Sequence, residues 1–301
     1  MNTKNISGYL SVLAGVILFS SIEVVSKSFS GDFPALPLVF LRFFIGGILL
    51  LGTSVFILGK KSEPICPADV GKIAAFGLIG VMISMSVFHL SLHYIRASNA
   101  ATIFCTNPIF SVFLAGLFLK ERTDRNRIIG VILGFAGAGA ISFTGSELNP
   151  AELTGSLLML LAAITFSVYT TFSKGINLRL GTARAVGLIF VTGSLMLLPV
   201  IYWKGDARFI TDWNGNAPQI LYLSLACTGL GYLLFLGGLT RVDITRGISL
   251  FYLKPVIASF LAFFFLREPL TLRLFGGIAF VSAGLYFTLR RKKARPEAVV
   301  D

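Results

Sequence analysis

The chain is written in apolar blocks, each about as long as a lipid bilayer is thick. A hydrocarbon core about 30 Å thick takes roughly 20 apolar residues per helix. Ten blocks approach or reach that length: 8–28, 36–58, 70–94, 97–119, 127–143, 153–173, 183–203, 218–240, 244–266 and 272–289. They are apolar throughout rather than at amphipathic spacing, so they read as lipid-spanning helices and not as one face of a soluble bundle. Only 13% of residues are charged, about half of the roughly 25% usual in soluble domains. The longest connections, 59–69 and 204–217, are too short for a soluble domain. The fold class is therefore an all-α membrane protein of ten transmembrane helices.

Lys4 precedes the first block as in a signal peptide. The block runs on through Ile22-Glu23-Val24-Val25 with no small-residue cleavage site, which reads as a retained first helix. The net charge of +12 does not point to nucleic acid, because the basic residues lie beside and between apolar blocks rather than on one face. They follow the asymmetry of membrane insertion, in which Lys and Arg accumulate on the cytoplasmic side. With a cytoplasmic N-terminus, eighteen Lys and Arg fall inside, five of them in the tail 290–301. Only Lys27, Arg96, Lys204, Arg208, Arg267 and Arg273 fall outside. Both termini are expected in the cytoplasm. Cys66, Cys105 and Cys227 are far apart and form no CxxC. They read as small apolar filler rather than a disulfide or zinc framework.

The chain also repeats itself. Shifting the first half by 147 residues without gaps places Gly8 on Gly155, Phe19-Ser20 on Phe166-Ser167, and Ser26-Lys27 on Ser173-Lys174. Phe43 meets Phe190, Pro108 meets Pro255, and Phe118-Leu119-Lys120-Glu121 meets Phe265-Leu266-Arg267-Glu268. One constant offset across five spans marks a duplication, with units 1–147 and 148–289 followed by the basic tail 290–301. Five is odd, so the second unit must insert upside down. Inverted repeats recur among secondary transporters, where one pseudo-symmetric scaffold can face either side.

The segments Asn107-Pro108 through Leu119-Lys120-Glu121, and Leu253-Lys254-Pro255 through Leu266-Arg267-Glu268-Pro269, together with Phe19-Ser20-Ser21, Ser26-Lys27 and a glycine-rich fifth span, carry a likeness. On them the chain resembles the EamA family of the drug/metabolite transporter superfamily over nearly its whole length. The resemblance implies a ten-helix inner-membrane bundle around a central cavity opened alternately to each side, and small metabolites such as amino acids, organic cations or drug-like solutes as cargo. Export is the commoner role.

Ionisable residues at membrane depth are costly and usually face protein or water. Four stand out here: Glu23, Arg42, His89 and Lys254. Ser20, Glu23 and Lys27 share one helix face. Glu23 has two readings: a local i, i+4 pair with Lys27, or a carboxylate that binds a cationic group or a proton. Lys254 precedes Pro255 as Asn107 precedes Pro108. A mid-helix proline frees the carbonyl four residues earlier, here that of Phe104 and of Phe251. Both units thus place a kink, a free acceptor and a polar side chain at one depth, and Lys254 is expected in the cavity, paired to Glu23 or touching a substrate carboxylate. Arg42 is expected to pair with Glu23 or a carbonyl, or else to meet a substrate carboxylate. His89 is a structural histidine or a proton relay. Phe19, Phe166, Tyr169, Tyr232, Phe251 and Tyr252 are candidate aromatic walls. Gly130 and Gly134 form GxxxG, which permits close helix contact.

No GxSxG, HExxH or Walker-type motif is present, and no catalytic residue, metal or cofactor is expected. The expected partners are a small solute and the lipid bilayer, with proton or exchange-solute coupling and a monomeric or homodimeric state left open. Two other classes compete with transport. An intramembrane enzyme needs ionisable groups gathered at one interface, and these are scattered. A non-transporting receptor subunit has no need of a whole-chain inverted duplication.

Overall fold

The computed structural model describes residues 3–29, 33–58, 63–118, 125–142, 150–213, 215–270 and 272–289. The tail 290–301, the junction at 147, and Leu119-Lys120-Glu121 lie outside the described residues.

The described chain is helical. Eight helices are long and apolar enough to cross a membrane: α1 Ile6–Lys27, α2 Ala35–Phe56, α3 Pro67–Ser91, α4 Ala97–Phe118, α6 Pro150–Phe172, α7 Thr182–Lys204, α8 Ala217–Leu239 and α9 Arg246–Leu266. Two further helices, α5 Arg125–Ser142 and α10 Leu272–Leu289, carry the shorter apolar stretches Ile128–Gly137 and Phe275–Gly284. The ten elements coincide with the ten apolar blocks to within a few residues. Large apolar side chains such as Phe56, Phe264 and Leu272 are exposed, as a bilayer favours. Tyr202 and Trp203, also exposed, end α7 beside Lys204 as interfacial anchors do.

Packing follows the duplication. Helix α1 lies along α8 as α6 lies along α3. Helices α2, α4 and α5 pack on their own counterparts α7, α9 and α10. Residues 147 positions apart touch one another: the Phe43 and Phe190 rings are 4.8 Å apart, and Tyr232 Oη is 3.5 Å from Met85 Sδ. A pseudo-two-fold axis therefore passes through the middle of the bundle.

Glycine lets the backbones approach there. A Cβ on Gly193 of α7 would stand 2.5 Å from the Gly77 carbonyl oxygen of α3, and one on Gly46 of α2 would stand 2.8 Å from that of Ser224 in α8. The GxxxG glycines do the same. A Cβ on Gly284 would stand 2.6 Å from the Gly130 oxygen, so this motif serves the α5–α10 contact inside the molecule. Overpacking a filled core costs about 1–3 kcal/mol, and here the obstacle is backbone, which yields less than a side chain. Gly193→Val is expected to lower the melting temperature of the detergent-purified protein sharply. Gly71→Ala, where a Cβ meets nothing within 4 Å, should leave it unchanged or raise it. Equal melting temperatures for the two variants would contradict this packing.

Candidate functional site

Helices α4 and α9 are both interrupted at mid-depth. In α4 the α-helix Ala97–Phe104 stops and Asn107–Phe118 begins afresh. In α9 the α-helix Ile244–Ser249 passes through a tight turn, Leu250–Leu253, before Lys254–Leu266 resumes. Pro108 and Pro255 occupy the second position of the resumed segments, where a missing N–H costs nothing. The two breaks meet across the axis: Cys105 Sγ donates to the Phe251 carbonyl oxygen at 2.9 Å. That carbonyl is one of the two the prolines free, so Cys105 is more than the apolar filler expected. It satisfies one break from the other.

Helix α1 is interrupted as well, which the sequence did not announce. The Thr3–Phe19 helix gives way at Ser20-Ser21 to a second segment, Ile22–Lys27. Ser20 Oγ donates to the Val16 carbonyl and Ser21 Oγ to that of Leu18, each at 2.8 Å. Such back-bonding bends helices. Glu23 thereby falls in the first turn of a new segment, where a carboxylate suits the helix dipole.

Lys254 Nζ donates to Glu23 Oε1, and the side chains are 1% and 0% exposed. The ammonium also lies 4.7 Å from the Phe104 ring centroid, 5.5 Å from that of Phe88 and 5.8 Å from that of Phe251, within cation–π range. The local Glu23–Lys27 pair is thus not the arrangement formed. Lys27 faces Glu268 and Arg96 instead, because it stands at the helix end, while Lys254 is enclosed and must find its anion inside.

Arg42 makes neither of the two protein contacts expected of it: among the described residues its guanidinium bonds neither Glu23 nor a carbonyl. Nε donates to Thr228 Oγ1 at 2.7 Å, and Nη1 is bonded to His89 Nε2 at 2.9 Å. Arginine can only donate, so His89 Nε2 accepts and the imidazole is neutral with its proton on Nδ1. Nη2 is buried and has no hydrogen-bond partner among the described residues. Thr228 is a residue that the sequence pattern does not mark. It sits on a π-helical stretch of α8, Tyr222–Gly231, which is matched in α3 by Leu78–Ile83. Such turns recur at functional sites and leave no mark in the hydrophobic pattern. One signal was available: its counterpart at the 147-residue offset is Val81, an apolar residue. The same mismatch holds for Glu23 and Thr170, Arg42 and Ile189, and His89 and Leu236.

These side chains enclose a small space at the axis, walled by Phe19, Arg42, Phe88, Phe166, Phe251 and Lys254. Its open volume is about 10 Å³, room for about one water. The structure brings Glu23, Arg42, His89 and Lys254 together here, with Ser20 at the adjoining break. Asn107 is fully buried and its carbonyl accepts from Ser167 Oγ at 2.8 Å. Tyr169 packs beneath Gly80, and Tyr252 turns toward Gly134 of α5. Neither tyrosine walls this space. The other four expected aromatics, Phe19, Phe166, Tyr232 and Phe251, do.

At the end of the bundle marked by Lys27, a second cavity of about 260 Å³ is lined by Ser26, Lys27, His89 and His93 among others. His89 thus borders it, while its partner Arg42 walls the central space. Glu268 lies at the same end, near Lys27. Arg267 takes a left-handed conformation (φ 55°), and the Glu268 N–H returns to the Ala262 carbonyl at 3.2 Å, a left-handed helix end. The carboxylate then caps α4, accepting from Ala97 N at 3.0 Å, Ser98 N at 3.2 Å and Ser98 Oγ at 2.6 Å.

Comparison with known proteins agrees with this architecture. A crystal structure superposes with a TM-score of 0.72 over 93% of this chain and 96% of its own, at 18% identity, which shows the shared fold. A protein of Clostridium kluyveri named as an uncharacterized transporter is 28% identical over 284 residues, covering 92% of this chain and 91% of its own. One from Archaeoglobus fulgidus with the same name is 28% identical over 286 residues, covering 93% and 98%. A protein of Streptantibioticus cattleyicolor named as a probable terminal-alkyne amino-acid exporter is 26% identical over 231 residues, covering 76% and 77%. The model of the EamA-like transporter family matches twice, at residues 6–143 and 153–290. With its two matched halves folded into one ten-helix membrane bundle, the chain belongs to the EamA-like transporter family.

Proposed function

We propose that the protein is a secondary transporter that carries a small metabolite out of the cell across the inner membrane by alternating access. The two units, 1–147 and 148–289, act as inverted halves. The observation that carries this reading is the Glu23–Lys254 pair, buried where three interrupted helices meet on a pseudo-two-fold axis. Discontinuous helices at mid-depth are where such transporters bind their cargo. A space of about 10 Å³ holds no metabolite, so this arrangement is a closed state, and binding must accompany opening toward one end. The name of the Streptantibioticus relative, a probable exporter, supports the export direction.

The test is flux. Inside-out vesicles carrying the protein are incubated with a metabolite mixture, and the solutes accumulated are identified by mass spectrometry. A solute accumulated with the wild-type protein and not with Lys254→Ala supports the reading. Identical contents with and without the protein would end it.

The orientation rests on the eighteen-to-six Lys/Arg asymmetry. Alkaline phosphatase fused after Asp301 is expected to be inactive, since the enzyme matures only outside the cytoplasm. An active fusion would overturn a cytoplasmic C-terminus.

A further inference from the structure

Charge at the centre does not balance. Glu23 is the only carboxylate among the described residues that lies in the interior of a span; Asp69 and Glu152 stand in the first turns of α3 and α6. Glu23 is already bonded to Lys254. Arg42, fully buried, is therefore a cation without an anion of its own. Thr228 and a neutral His89 satisfy two of its nitrogens but supply no charge. The Phe43 ring, 5.2 Å from its guanidinium carbon, supplies only a partial one. Nη2 is left without a partner among the described residues although Arg42 walls the central space. An enclosed charge without a counter-charge is strongly unfavourable, and a chain that keeps one is built to receive its complement.

We propose that Arg42 marks the anion subsite of this transporter and that the cargo is an organic acid of net charge −1, its carboxylate held by Arg42 and its apolar body held by the surrounding phenylalanines. This deepens the transport reading above and rests on it. Three observations converge on the class. A guanidinium donates charge-assisted hydrogen bonds to a carboxylate, and Nη2 is the nitrogen left to do so. A monoanion brings the Glu23, Lys254 and Arg42 cluster to neutrality, whereas a zwitterion leaves it at +1 and an organic cation raises it to +2. The walls are mostly aromatic, with Phe19, Phe88, Phe104, Phe166, Phe251 and Tyr232 around the space and the Tyr232 hydroxyl turned to Met85 Sδ, so the body of the solute is apolar rather than sugar-like. The approach fits as well. The 260 Å³ cavity reaching His89 is bordered by Lys27 and His93, and among the described residues no carboxylate lines it. The neutral His89, bonded to Arg42 Nη1, stands between that cavity and the central space.

The test uses a matched set of probes on the purified protein in nanodiscs: benzoate, benzamide, benzylamine and phenylalanine. They share a ring and differ in charge. Benzoate is expected to raise the melting temperature and to bind at least tenfold more tightly than the other three. Arg42→Met should reduce benzoate binding at least tenfold. If that variant does not fold, Arg42→Lys keeps the charge but loses the planar fork and carries the same expectation. If neither folds, the wild-type ranking decides. Tighter binding of benzylamine or phenylalanine, no preference for benzoate over benzamide, or unchanged benzoate affinity in a folded Arg42 variant overturns the proposal. Binding is read without flux. Lys254-dependent accumulation of a solute that is not a monoanion would therefore refute the anion subsite and leave the transport reading standing.

Discussion

Lys254→Ala is expected to reduce solute flux by roughly 100-fold or more, while Lys204→Ala, at the exposed end of α7, leaves it within error. Removing one partner of a buried ion pair costs about 3–5 kcal/mol because the other charge is stranded, and each 1.4 kcal/mol is a factor of ten. The stranded group here is Glu23, fully enclosed. A single variant cannot separate lost transport from lost stability, so the informative protein is the double variant Glu23→Gln/Lys254→Met. It removes both charges at nearly constant volume, and replacements of that kind are often neutral for stability. It should fold, melt near the wild-type temperature and still fail to transport. Full flux in a folded double variant would make the pair a scaffold element. Lys254→Arg is expected to recover little, because a planar guanidinium does not fit between the Phe104, Phe88 and Phe251 rings as a compact ammonium does.

Glu268→Ala is expected to shift the protein toward a state open at the Lys27 end by about tenfold or more. Hydrogen bonds to a charged group contribute about 1.5–3 kcal/mol, and this carboxylate accepts three at the start of α4. The contact joins α9 to α4, one helix from each unit, so it holds the two halves together at that end. Its loss releases two backbone N–H groups and removes the negative charge facing Lys27. A cysteine introduced at Leu38, which lines the 260 Å³ cavity and is itself buried, reports the opening. Its alkylation by a membrane-impermeant maleimide should accelerate in the Glu268→Ala background. Glu268→Gln, which keeps an acceptor oxygen, should give a smaller acceleration. Unchanged alkylation in both would show that the cap only trims a helix end.

The left-handed residue at Arg267 explains why this cap needs the tertiary structure to be seen. A non-glycine residue seldom adopts positive φ, so Leu266-Arg267-Glu268-Pro269 reads in sequence only as a helix end. The turn that returns Glu268 to α4 is decided by the bond it then makes. Corrections to the site have the same origin. The Glu23–Lys27 spacing suits a helical pair, but the serine-bonded break in α1 places Glu23 against Lys254, 231 residues away. Tyr252 and Phe251 are neighbours in sequence, and only the tight turn before Lys254 decides that Phe251 faces the axis while Tyr252 faces Gly134.

The sequence by itself determined the membrane class, the ten helices, the 147-residue relation between the halves and the two proline breaks. These follow from quantities each residue carries locally: apolar length against bilayer thickness, side-chain identity at a fixed offset, and a missing N–H. Tertiary structure alone decided the partners. That Cys105 answers the carbonyl freed by Pro255, that Arg42 lies between Thr228 and His89 and is not bonded to Glu23, and that Arg42 retains a donor unmet among the described residues are facts about groups brought together from α2, α3, α4, α8 and α9. No local pattern encodes such meetings. In a low-dielectric interior each polar group must take whatever complement the packing brings within reach, and the packing is a property of the whole bundle.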